Sequence, residues 1–337
     1  MIIVLKSKTP RKDENAVLRE IRKLGYQPHV MRGVARTVIG AIGDERSHAS
    51  LEPLATWPQV ESVTPIQKRY KLVSREAHPV DSTVTARGVV VGGRKFQVMA
   101  GPCSVESEDQ LLRTAEAVKK AGATILRGGA FKPRTSPYEF QGLGEKGLKL
   151  LAKARRETGL PVITELLSEN HAELVAEYAD ILQIGTRNAQ NFQLLIAAAR
   201  TGKPVMLKRG MSMRIEEWLL AGEYILANDN PGLLFCERGI RTFENYTRNT
   251  LDLSVIPILK GETHLPVVID PSQGTGKSTL VTAMCKGAVA MGADALIIEV
   301  HPNPAEAWSD GAQQVTLDGF ERLMSELRPF IAAAGRE

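Results

Sequence analysis

From Phe96 to Ala333 the chain alternates short, almost purely apolar runs with longer stretches whose apolar positions recur every three or four residues. Unalternated runs rich in Val, Ile and Leu suit parallel strands buried on both faces, and the second period is that of amphipathic helices. The strand and helix stretches pair as Phe96–Gly101 with Glu108–Ala121, Ala123–Gly129 with Gly144–Thr158, Leu160–Leu166 with Glu169–Tyr178, and Asp180–Gly185 with Asn191–Thr201. The series continues as Pro204–Gly210 with Ile215–Ala227, Leu233–Gly239 with Asn249–Ile256, Pro266–Asp270 with Lys277–Met291, and Ala295–Val300 with Leu317–Ala333. Eight such pairs predict a (β/α)8 TIM barrel, a fold of about 250 residues. Arg87–Lys95, centred on Val89-Val90-Val91-Gly92-Gly93, reads as a hairpin closing the barrel floor. An open doubly wound sheet is the rival. Its dinucleotide fingerprint must follow a buried strand, whereas Gly142-Leu143-Gly144-Glu145-Lys146-Gly147 follows a Pro-rich loop, so the pattern fits in letters only.

The first seventy residues have another rhythm. Ile2–Lys6 reads as a strand and Asp13–Leu24 as an amphipathic helix, with Val17, Ile21 and Leu24 on one face and Gly25 as its stop. His29–Arg32 and Arg36–Ile42 are two strands joined at Gly33, Ser50–Trp57 a second short helix, and Val60–Pro65 a last strand. This β-α-β-β-α-β order predicts a small ferredoxin-like α+β domain over 1–70, a linker over 71–86 and the barrel over 87–337.

Composition narrows the class. The 337 residues are 43% hydrophobic and 24% charged, and no run approaches the length of a membrane span, so the chain reads as a soluble cytoplasmic protein. The net charge is +5, but aromatics are only 5% and do not interleave with Lys or Arg, which argues against nucleic-acid binding. Cys103, Cys236 and Cys285 are odd in number and far apart, so no disulfide framework is implied.

In a barrel of this kind the C-terminal strand ends build the active site. Read in order, those ends carry Cys103, Arg127, Glu165, Arg187, Lys208 with Arg209, Glu237 with Arg238, Asp270, and Glu299 with His301. Lys132-Pro133-Arg134-Thr135 adds two cations and a hydroxyl on a Pro-stiffened loop. So many cations imply two anionic substrates, or one with two charged groups. Cys103, Glu299 and Asp310, with His301 close by, form a thiolate and carboxylate set suited to a metal. Asp270-Pro271-Ser272-Gln273-Gly274-Thr275-Gly276-Lys277-Ser278-Thr279 looks like a nucleotide loop, but its pattern needs a Gly at Pro271 and fails.

The stretches Ala100–Ser107, Leu126–Pro137 with Phe140–Gly144, Ile184–Asn191, Leu207–Gly210, Cys236–Glu244 and Glu299–Pro304 with Ser309–Gly311 resemble the 3-deoxy-7-phosphoheptulonate synthases. The form with an N-terminal ferredoxin-like regulatory domain matches best. The resemblance implies condensation of phosphoenolpyruvate with erythrose 4-phosphate, the first step of the shikimate pathway. It gives the phosphoenolpyruvate to Arg127, Lys132, Arg187, Lys208 and Arg238, and the sugar phosphate to Lys132, Pro133, Arg134 and Thr135. Lys132 and Glu237 become catalytic candidates, with Glu237 or a metal-bound water assisting the attacking water. Cys103, Glu299 and Asp310 stand for three of the family's four metal ligands.

The fourth ligand is a His in that family, and this chain has Gln273 there. An amide oxygen in place of an imidazole nitrogen favours a harder ion, Mn2+ first, with Mg2+, Zn2+ or Fe2+ as alternatives. Three readings stand open: ligation through the amide oxygen, ligation through a water, or an impaired metal site. The competing functions are a related synthase with another aldose phosphate acceptor and a catalytically impaired paralogue. The resemblance also implies feedback by tyrosine or phenylalanine and a homotetramer.

Overall fold

The computed structural model describes residues 1–33, 36–43, 50–64 and 69–337. The chain forms two compact units, Met1–Val80 with Gly261–His264, and Asp81–Lys260 with Leu265–Glu337.

The first unit contains β1 (Ile2–Leu5), α1 (Arg11–Lys23), β2 (Gln27–Arg32), β3 (Thr37–Ile42) and β4 (Val60–Thr64). The strands form an antiparallel sheet in the order β2-β3-β1-β4. The apolar face of α1 buries Val17, Leu18 and Ile21 against Ile3, Leu5 and Ile39 of the sheet. Gly25, at φ 94°, ends the helix in the left-handed region where a side chain would be strained. The second helix read over Ser50–Trp57 is a 3-10 turn at Glu52–Thr56. Its five residues start from Leu51 and carry Pro53 in the first turn, too short a run to settle into an α-helix. Pro65, the expected end of the last strand, lies outside the described residues.

The second unit opens with a hairpin of β5 (Val84–Ala86) and β6 (Val89–Val91). Its first strand falls inside the stretch read as linker. Arg87 and Gly88 both take positive φ, as the tight twist of a two-residue hairpin turn requires.

The barrel strands are β7 (Gln97–Gly101), β8 (Ile125–Arg127), β9 (Val162–Leu166), β10 (Ile181–Ile184), β11 (Val205–Lys208), β12 (Leu233–Glu237), β13 (Val267–Ile269) and β14 (Ala295–Glu299). Each pairs in parallel with the next, and β14 pairs with β7 to close the circle. Around it lie α2 (Glu108–Ala121), α3 (Glu145–Thr158), α4 (Ala172–Tyr178), α5 (Phe192–Arg200), α6 (Ile215–Leu226), α7 (Val255–Glu262), α9 (Ser278–Ala290) and α10 (Leu317–Ala333). One short helix, α8 (Pro271–Thr275), interrupts the alternation between β13 and α9. The helix expected over Asn249–Ile256 begins only at Val255.

Met99, Ile125, Ile163, Ile181, Met206, Leu234, Cys236, Val268, Ala295 and Ile297 pack together with Val84, Ala86 and Val91 of the hairpin. The hairpin therefore plugs the barrel floor. Successive strand residues face opposite sides, so this inner layer sets the parity of every residue further up each strand. Arg127, Glu165, Gln183, Lys208, Arg238, Asp270 and Glu299 lie an even number of residues from their strand's floor residue, and so face inward above it.

Candidate active site

A cavity of about 450 Å³ opens above that layer. It is lined by Arg127, Lys132, Arg134, Arg187, Lys208 and Arg238, all expected from the sequence, together with Pro133 and Thr135. Arg241 and Arg248 join them, and Glu139, Glu165 and Asp310 are the carboxylates on its wall. The cations outnumber the acids, so the cavity favours anions.

Two of the deepest cations have buried partners. Arg127 Nη1 donates to Glu299 Oε1 at 2.9 Å, and Lys208 Nζ to Asp270 Oδ2 at 2.6 Å. Among the described residues no carboxylate is hydrogen-bonded to Arg238; its guanidinium donates to Gln273 Oε1 at 3.1 Å and to the Gly239 carbonyl at 3.5 Å. Burial lowers the Arg238 pKa, Asp270 opposes that, and Arg248 adds to it. A buried cation short of counter-charge is a natural seat for an anion. Arg127 Nε and Thr186 Oγ1 are also buried without a hydrogen-bond partner among the described residues, and both residues line the cavity. Buried polar atoms left over in this way mark where a ligand can bond.

Lys132 is buried, its ammonium donating to Cys103 Sγ at 3.0 Å and to the Cys103 carbonyl at 3.3 Å. At the mouth, Arg134 Nε donates to Glu139 Oε2 at 2.9 Å, and Arg187 Nη2 to Thr135 Oγ1 at 3.5 Å. This ties the loop after β8 to the end of β10.

Ligand atoms of Cys103, Glu299 and Asp310 lie within 4.8 Å of one another. Burial first, and then the Glu299 charge, push the Cys103 thiol up to about 12, and its sulfur donates to Asp310 Oδ2 at 3.3 Å. A divalent cation between these groups would take that proton's place, which makes the donor set a fit for a metal. Burial opposes ionisation of Glu299, but Arg127, then Lys132 and the Gln313 hydrogen bond, hold it down at about 2. Each Glu299 oxygen is engaged: Oε1 by Arg127 and by Gln273 Nε2 at 3.0 Å, Oε2 by Gln313 Nε2 at 2.7 Å. Arg248 Nη1 donates to both Asp310 Oδ1 at 3.1 Å and Gln313 Oε1 at 2.9 Å. Asp310 itself sits in the left-handed region at φ 51°.

Glu237 does not reach the cavity. It follows Cys236, an inner-layer residue, so strand parity turns it toward the helices. There its carboxylate accepts from Arg209 Nη1 at 3.0 Å and from the Gly239 N–H at 2.6 Å. Burial raises its pKa, and Arg209 offsets part of that. Its work is to hold Arg209, which also pairs with Asp252 and lies over Trp218. Glu165 has the inward parity that Glu237 lacks. Gln183 Nε2 donates to its Oε2 at 3.3 Å, and a Cβ on Gly185 would sit 1.9 Å from its Oε1, so that glycine makes room for the carboxylate. His301 also stays out of the metal cluster: its Nδ1 accepts from the Asn303 N–H, and its Nε2 faces Glu106 Oε2 at 3.2 Å.

Residues 74–332 match the family model described as "DAHP synthetase I family", and residues 1–68 match "DAHP synthase ferredoxin-like domain". Over 335 residues the chain is 48% identical to phospho-2-dehydro-3-deoxyheptonate aldolase of Thermotoga maritima, covering 99% of each. The crystal structure of a DAHP synthase from that organism superposes with a TM-score of 0.80 at 47% identity, spanning all of this chain and 98% of the other. The 2-dehydro-3-deoxyphosphooctonate aldolase of Caulobacter vibrioides is 33% identical over 278 residues, 76% of this chain and 95% of its own.

Proposed function

The chain belongs to the DAHP synthetase I family, and from that premise we propose how its own residues serve the reaction. Its activity is that of a 3-deoxy-7-phosphoheptulonate synthase, joining phosphoenolpyruvate to erythrose 4-phosphate with release of phosphate. The observation that carries the assignment of roles is the meeting of Arg127, Lys132, Arg187, Lys208 and Arg238, from separate strand ends, around one cavity.

Arg127, Lys208 and Arg238 take the phosphate and carboxylate of phosphoenolpyruvate at the cavity base, and Arg187 closes over them. Their charges are fixed by packing before the substrate arrives, so little reorganisation is needed at the moment of reaction. Lys132, with Pro133, Arg134 and Thr135, orients the sugar phosphate so that its aldehyde carbon meets C3 of the enol. Cys103, Glu299 and Asp310 hold a divalent ion, Mn2+ for preference, with Mg2+, Zn2+ or Fe2+ as alternatives. When bound, such an ion supplies Lewis-acid polarisation of the aldehyde carbonyl.

As C3 bonds to the aldehyde carbon, Lys132 delivers a proton to the aldehyde oxygen, which becomes a hydroxyl. Positive charge develops at C2, and a water adds there. Glu165 is the inward carboxylate placed to take that water's proton, the role that strand parity removes from Glu237. The new C2 hydroxyl then gives its proton to the phosphate oxygen as the C2–O bond to phosphate breaks, which releases inorganic phosphate and leaves the ketone.

We further propose that the ferredoxin-like unit binds an aromatic amino acid effector, tyrosine or phenylalanine. A homotetramer in the cytoplasm completes the reading. Among the described residues no helix is long and apolar enough to cross a membrane. The rival acceptor is tested by measuring phosphoenolpyruvate consumption with erythrose 4-phosphate and, separately, with arabinose 5-phosphate. Turnover with the first is expected; turnover with the second alone contradicts the proposal.

A further inference from the structure

Gln273 lies between the two halves of the site, and every part of it is engaged. Its N–H donates to Asp270 Oδ1 at 2.9 Å, while the other Asp270 oxygen accepts from Lys208. Its carbonyl accepts from Asn249 Nδ2 at 3.1 Å. One residue earlier, Ser272 Oγ accepts from the Glu299 N–H at 3.0 Å. The five residues of α8 are thereby held against both β13 and β14, and the Gln273 side chain starts from a fixed place.

That side chain is a bridge. Its Oε1 accepts from Arg238 Nη2 at 3.1 Å, and its Nε2 donates to Glu299 Oε1 at 3.0 Å. Turning the amide over would set its NH2 group against the Arg238 guanidinium, donor facing donor, and lose both bonds. A cation beyond Glu299 could reward the turned oxygen, but the lost contact to a buried guanidinium would remain. The oxygen that would ligate a metal is therefore committed to Arg238.

We propose that Gln273 is a positioning residue that couples the anion-binding guanidinium of Arg238 to the carboxylate of Glu299, and that the cation at Cys103, Glu299 and Asp310 is held without it. The proposal rests on the reading of Arg238 and of the three-residue cluster given above. An anion on Arg238 fixes the guanidinium, which fixes the amide, which fixes the Glu299 oxygen it touches. Phosphoenolpyruvate then tightens metal binding, and by linkage the metal tightens phosphoenolpyruvate binding by the same factor. Charge attraction between the two ligands also contributes. The part carried by Gln273 is the part that disappears when its amide is removed.

The test uses the full chain stripped of metal and titrated with Mn2+, with the free-ion electron paramagnetic resonance signal as readout. Titrations are run with and without saturating phosphoenolpyruvate, and without the sugar phosphate. Gln273→Met keeps the length of the side chain without its polar ends, and Gln273→Ala checks that bulk is not responsible. Without phosphoenolpyruvate, both variants are expected to lose no more than about 10- to 100-fold in Mn2+ affinity, the cost of removing a partner of Glu299 rather than a ligand. The gain in Mn2+ affinity on adding phosphoenolpyruvate is expected to shrink at least about threefold in both. A loss of well over about 100-fold in Mn2+ affinity in both variants would mean that Gln273 is a ligand and would overturn the proposal. An undiminished phosphoenolpyruvate effect would overturn it equally. Wild-type protein that takes up neither Mn2+ nor phosphoenolpyruvate would sink the underlying reading of the site, an outcome distinct from either of these.

Discussion

Lys132 donates its ammonium to the thiol sulfur of Cys103 at 3.0 Å, so a cation proposed to face the substrate and a thiol of the proposed metal cluster share one hydrogen bond. The cation-lined cavity and the candidate metal cluster are thus one structure. Replacing Lys132 by Met removes a positive charge beside a thiol that burial keeps protonated, so no bare anion is left behind. Lys132→Met is expected to keep its fold and lose about 10²–10⁴ in kcat, the usual worth of a positioned proton donor. Circular dichroism and steady-state kinetics check the two halves of that statement.

Arg248 reaches Asp310 and Gln313 with one nitrogen, and Gln313 in turn holds Glu299. Removing such an outer partner typically costs about 10- to 100-fold in metal affinity. Arg248→Ala is expected to fall in that range in an Mn2+ titration, whereas Arg241→Ala, which touches no member of the cluster, leaves Mn2+ affinity unchanged.

The pH dependence of metal uptake follows from Cys103. Its pKa is raised to about 12, so near neutrality the thiol is protonated, and a bound cation must displace that proton. Higher pH therefore favours binding. Glu299, held at about 2, is already ionised and adds no slope in this range. The apparent Mn2+ affinity should rise by up to about tenfold per unit between roughly pH 6.5 and 8.5. A flat profile would mean that the sulfur is not a ligand.

Gly185 is the space into which the Glu165 carboxylate fits. Gly185→Ala should push that carboxylate aside and lower kcat by about tenfold or more, the scale of a misplaced catalytic group. Mn2+ affinity should stay within about twofold of wild type, because Glu165 is outside the cluster.

Much of this was legible in the sequence because the barrel writes its pattern twice, once in apolar runs and once in capped helices. The helices Glu108–Ala121 and Leu317–Ala333 match their sequence-based bounds. Ser107 and Thr316 cap their N-termini, and Gly122 ends the first. The predicted cations were found at strand ends and on one Pro-bracketed loop, where position follows from the fold. What was missed has equally plain causes. Glu237 stands at a strand end and so reads as a cavity residue, although counting residues from Cys236 turns it outward. Arg248 lies in the loop between β12 and α7, where no periodicity says which way a side chain points. The helix α8 had a signal, with Asp270 as cap and Pro271 in its first turn, but five residues are too few to stand out.

A metal-dependent condensation at the Cys103, Glu299 and Asp310 cluster is decided by taking the metal away and giving it back. Phosphoenolpyruvate consumption is followed with erythrose 4-phosphate before chelation, after exhaustive chelation, and after restoring Mn2+, Mg2+ or Zn2+ one at a time. Activity is expected to be lost on chelation and to recover with a divalent ion, most strongly with Mn2+. Full activity that is indifferent to a strong chelator would rule out a metal-dependent condensation.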